Sequence, residues 1–100
     1  MSVVIIAKLH ADPAKLEELF TSKKDVFQSV SGVGRSAGAV HHQFLAGDGE
    51  VLIVDEWPTA EAFHAFFGSQ PEIGDLMAQA GVEGPPEVSV YRVMESPDRF

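Results

Sequence analysis

Two runs, Val3-Val4-Ile5-Ile6 and Val51-Leu52-Ile53-Val54, constrain this chain more than any other feature. Successive strand residues point to opposite faces, so each run offers apolar side chains to both sides of a sheet. Such strands belong in a sheet that is covered on both faces. The second run continues through Asp55, Glu56 and Trp57, the sole Trp, to Pro58. Proline has no N–H for a ladder bond and forces a turn there. Thr59 then suits an N-cap, and Glu61 in the first helical turn complements the helix dipole. The stretch Glu50 to Phe67 therefore reads as a strand running straight into an amphipathic helix.

The rest of the chain arranges itself around that unit. Val3 to Leu9 is apolar except for Lys8 and forms the first strand. Asp12-Pro13 starts a helix, with the carboxylate as cap and the proline in the first turn. Leu16, Leu19, Phe20, Val26, Phe27 and Val30 make a stripe at three- and four-residue spacing. This predicts one helix of roughly four to five turns, ended by Ser31-Gly32. Ser36 to Leu45 is the second strand, and Gly47-Asp48-Gly49 is a hairpin turn into the third, Val51 to Trp57. Pro71 opens a further helical segment after the one bearing Phe63, Phe66 and Phe67. Gly84-Pro85-Pro86 leads to the last strand, Glu87 to Met94.

The order β-α-β-β-α(α)-β is the ferredoxin-like α+β arrangement, with all helices on one face of an antiparallel sheet. Four strands of about 20 Å, spaced about 4.8 Å apart, leave a second face of roughly 400 Å². Covering it would be worth on the order of 10 kcal/mol at about 25 cal/mol per Å². The simplest cover is the same face of a second copy, so a two-fold homodimer is expected.

A length of 100 residues suits a single domain spanning 1–100. The formal charge of -8, with seven scattered basic residues, argues against nucleic acid and anionic membrane as partners. The opening apolar run, Val3 to Ala7, is too short for a signal segment or a bilayer span. With no cysteine there is no thiolate chemistry and no disulfide, in keeping with a cytoplasmic protein.

A turn centred on Gly47-Asp48 would set His42 opposite Ile53, Val40 opposite Asp55 and Gly38 opposite Trp57. His42, Asp55 and Trp57 then share one face, while His41, Gln43, Val54 and Glu56 share the other. Adjacent His41 and His42 cannot converge on one ion, and no other metal-ligand spacing exists, so no metal site is expected. His42 has two readings: a strand histidine bonded to a neighbour such as Asp55, or an acid–base group oriented by that carboxylate. Trp57, at a strand end, is either core or the wall of a pocket between the layers. Phe63 and His64 border the same place, and Tyr91 offers a hydroxyl on a strand face the sequence does not fix. Gly32-Val33-Gly34 lacks the pattern of a phosphate loop, and no Gly-x-Ser-x-Gly elbow is present.

Asp12-Pro13-Ala14-Lys15-Leu16-Glu17-Glu18-Leu19-Phe20, the hairpin and Val54-Asp55-Glu56-Trp57-Pro58-Thr59-Ala60-Glu61-Ala62-Phe63 resemble the antibiotic biosynthesis monooxygenase domain family. The resemblance runs through Val88 to Met94 and implies a dimeric α/β barrel of two ferredoxin-like units packed through their sheets. It further implies oxidation of quinol-like aromatics by O₂ with no cofactor, in a pocket lined by a Trp that Trp57 matches. Ala7, Ile53 and Phe63 stand where relatives carry Asn, Asn and Tyr, and His64 falls earlier in its helix than the His of haem-degrading relatives. The expected function is a cofactor-free monooxygenase: Trp57, Phe63, His64 and Tyr91 bind the substrate, and His42, oriented by Asp55, removes a phenolic proton. The competing expectation is a non-catalytic dimer that binds a small apolar ligand as an accessory protein. A third is a structural dimer whose Phe cluster is packed solid.

Overall fold

The computed structural model describes residues 2–100. The elements run β1 (Val3–His10), α1 (Pro13–Ser22), α2 (Lys24–Ser36), β2 (His41–Ala46), β3 (Glu50–Trp57), α3 (Ala60–Gly68), α4 (Pro71–Gln79) and β4 (Glu87–Arg92). One antiparallel sheet has the order β2-β3-β1-β4. The two doubly apolar strands are thus the central pair. Alternation sends Ile5, Ala7, Leu9, Val51, Asp55 and Trp57 inward, where all are buried. Val4, Ile6, Leu52 and Val54 point the other way, away from the helices, and are only half-buried. Lys8 and Glu56 interrupt that outer face, which is less uniformly apolar than the runs suggest.

The caps behave as their chemistry dictates. Asp12 accepts from the Ala14 N–H at 3.0 Å and Thr59 from the Ala62 N–H at 3.1 Å, each satisfying a free helix-end donor. The single long helix expected from Asp12 to Ser31 is instead two. Lys23, at φ -121° and ψ 32°, breaks it, and the Lys23 carbonyl receives the N–H groups of Val26 and Phe27. The break lets Phe20 and Phe27 meet edge to face at 5.0 Å, and both close on Phe44, at 5.0 and 6.1 Å.

Nor does Gly32 end the second helix, which runs on to Ser36. Gly34 is buried there against the Phe66 ring, where α2 meets α3, and a Cβ would lie 3.4 Å from that ring, at the edge of ordinary contact. The left-handed residue beyond the helix end is Gly38, φ +116°. β2 consequently starts at His41 rather than Ser36, and β4 ends at Arg92 rather than Met94. Gly38 does not pair with Trp57; it packs on the Pro58 ring, where a Cβ would come within 3.0 Å of Cγ. Gly38→Ala is therefore expected to cost about 1–2 kcal/mol, read from a chemical denaturation midpoint. No loss would mean that the turn relaxes freely.

The hairpin is centred one residue later than expected, on Asp48-Gly49, with Gly49 at φ +70° and the Gly47 N–H donating to the Glu50 carbonyl. Every β2–β3 pair shifts by two positions, so the faces stay as sorted. His42 now stands directly across from Asp55, not Ile53.

Candidate active site

Between the inner sheet face and the helices lies a cavity of about 120 Å³. Its floor is Ile5, Ala7, Leu9, Ile53, Asp55 and Trp57 from β1 and β3. Its roof comes from α2, α3 and α4, including Val30, Phe63, Phe66, Ile73 and Met77. The walls are almost wholly apolar, as expected of a small-molecule pocket. The cavity separates two packed clusters. Leu9, Leu16, Val51 and Ala80 fill one end, and Ile5, Trp57 and Phe63 the other.

Polar atoms enter at few points, and three of the groups are chained together. Asp55, only 7% exposed, spends both carboxylate oxygens inside the fold. His42 Nδ1 lies 2.7 Å from Oδ1, and Trp57 Nε1–H donates to Oδ2 at 3.2 Å. A carboxylate only accepts, so Nδ1 carries the ring proton and Nε2 of neutral His42 keeps its lone pair free. The side chain of His42 is 41% exposed, so the imidazole spans from buried carboxylate to solvent. Asp55, already bonded twice and held beneath the ring, is an orienting group; His42 is the one placed to take a proton from a guest. Trp57, 1% exposed, is fixed by its N–H and by rings: Phe66 at 5.3 Å and Phe63 at 6.0 Å.

Four of the six residues singled out from sequence, His42, Asp55, Trp57 and Phe63, line the cavity. The other two do not. The rings of His64 and Phe63 lie 5.3 Å apart between centroids, but His64 is exposed to solvent on α3. Tyr91, paired with Val4, lies on the outer sheet face and is 54% exposed. Sequence reasoning missed Arg35 and Ser31, which also border the cavity, because α2 was expected to have ended before Arg35. Among the described residues no three His, Cys, Asp or Glu side chains converge as a metal-binding group. No helix among them is long and apolar enough to cross a membrane.

The fold is similar to those of solved antibiotic biosynthesis monooxygenase structures. A monooxygenase from the gene ActVA-Orf6 of Streptomyces coelicolor, solved with nanaomycin D, matches 99% of this chain and 93% of its own, with TM-score 0.69 and 19% identity. SnoaB, a cofactor-independent oxygenase from Streptomyces nogalater, matches 98% of both chains, with TM-score 0.62 and 17% identity. A putative antibiotic biosynthesis monooxygenase from Caulobacter crescentus matches 94% and 91%, with TM-score 0.63 and 18% identity. At these identities the shared property is the fold. No family model and no curated protein sequence matches the chain.

Proposed function

We propose that the chain is a cofactor-independent monooxygenase acting on a small aromatic, quinol-like substrate. The observation that carries this reading is the Asp55-oriented imidazole of His42 at the border of an otherwise apolar cavity. The likeness to an oxygenase described as cofactor-independent, and to a monooxygenase solved in complex with nanaomycin D, supports it. At roughly 10–15 Å³ for each water-sized group, the cavity volume corresponds to on the order of ten non-hydrogen atoms, the scale of a fused two-ring aromatic.

His42 Nε2 takes the phenolic proton, and the imidazolium so formed is held by the Asp55 carboxylate. The resulting anion is electron-rich and gives electrons to O₂. With no separate reductant, the substrate must supply all four electrons that O₂ accepts. Two go with the new C–O bond and two with the rise from quinol to quinone; the second oxygen leaves as water. That balance is why the substrate is read as a quinol rather than a simple arene. Trp57 and Phe63 flank the ring, and His64 and Tyr91, which do not line the cavity, are given no role in this reading.

Oxygen consumption with a panel of benzo- and naphthoquinols tests the reading; no uptake above the uncatalysed rate with any of them would overturn it. A binding protein with no chemistry would need the cavity but not the oriented histidine, so the non-catalytic alternative is less well supported.

Pairing of two copies through the outer face belongs to the same proposal. Val4, Ile6, Leu52 and Val54 form its apolar centre, and no element of the chain's described residues covers them. Sedimentation at micromolar concentration is expected to give a dimer. A monomer alone would remove the barrel from the proposal.

A further inference from the structure

The geometry points to Arg35 as a specificity-determining residue that selects aromatic substrates carrying a carboxylate. The inference rests on the reading of the cavity as a substrate site and names what that substrate bears. Of all the residues lining the cavity only Arg35 and His42 are exposed, so these two mark its polar mouth. Arg35 is the one Lys or Arg side chain in the lining. Among the described residues Arg35, like Lys15, Lys23, Lys24 and Arg92, makes no ion pair, and of these it alone borders the cavity.

A guanidinium bordering an apolar pocket offers a planar fork of donors that matches a carboxylate in two parallel bonds. Its charge has local value because the chain as a whole, at -8, repels anions. Asp55, the one carboxylate in the lining, is already engaged by His42 and Trp57 and stays inside the fold. An entering anion therefore meets Arg35 at the mouth while the rings occupy the apolar interior. A hydroxyl on the same ring system comes to the border where His42 stands. The ligand class that satisfies all three features is a fused-ring quinol bearing a carboxylate, for which a hydroxynaphthoate serves as a binding probe. The last-turn position of Arg35 in α2 also suits the helix dipole, a role that lysine would fill equally.

Calorimetric titration with 1-hydroxy-2-naphthoate and with 1-naphthol reads the inference without any turnover. The native chain is expected to bind the carboxylate at least tenfold more tightly. Arg35→Gln should bring the ratio of the two Kd values close to one. Arg35→Lys should keep part of the preference, and the preference should weaken as salt is raised. A ratio that Arg35→Gln leaves intact would overturn the assignment while naphthol binding leaves the cavity reading standing. Failure of the native chain to bind either compound would overturn both.

Discussion

His42→Ala is expected to lower the turnover number for quinol-driven oxygen consumption about 10²–10⁴-fold. The substitution removes the one group at the cavity whose lone pair is held ready for a proton, and it leaves the apolar walls intact. Asp55→Asn is the sharper companion. Its carbonyl can still accept the Trp57 N–H, but its amide then donates to His42 Nδ1. The ring proton must move to Nε2, and the base faces the substrate in the wrong tautomer. Turnover should fall with KM changed much less, and near-ultraviolet circular dichroism should stay native. Wild-type turnover in Asp55→Asn would show that the carboxylate does not orient the base. Wild-type turnover in His42→Ala would remove the histidine from the chemistry.

Trp57→Ala is expected to destabilise the fold by about 3–5 kcal/mol. The indole is the largest fully buried side chain and joins β3 to α3 through Phe63 and Phe66. Truncation opens a void beside an existing cavity and leaves Asp55 Oδ2 without its donor. Trp57→Phe fills most of the volume but also strands that oxygen, so a smaller loss of about 1–3 kcal/mol follows. Urea unfolding followed by far-ultraviolet circular dichroism measures both. A loss below about 1 kcal/mol in Trp57→Ala would mean that α3 is held by other contacts.

Much of this architecture can be read from residue order, for identifiable reasons. The β3–α3 unit is legible because an apolar run, a proline and a capping threonine all agree on one boundary. The inward set of His42, Asp55 and Trp57 survives the displaced hairpin centre because the shift is an even number of residues. The turn itself is ambiguous, since Gly47 and Gly49 flank Asp48 and either can accept the unusual backbone. The break at Lys23 carries neither glycine nor proline, and only the packing of Phe20 and Phe27 on Phe44 reveals its purpose. Ser31-Gly32 reads as a stop, yet the helix runs on through Gly34, which packs against the Phe66 ring. That single misreading hides Arg35, which falls beyond the expected helix end. The face of Tyr91 is fixed only by its pairing with Val4 on a strand 87 positions earlier in the chain. His64 sits next to Phe63 in sequence, but one helical step turns it about 100° away.

The shared carboxylate has one more consequence. Because Trp57 and His42 draw on the two oxygens of the same Asp55, any charge gained by the imidazole is felt at the indole through two hydrogen bonds. The chain has one Trp and thus one dominant emitter. Its emission is therefore expected to change when the imidazole gains a charge, a response that fluorescence spectroscopy reads without a label.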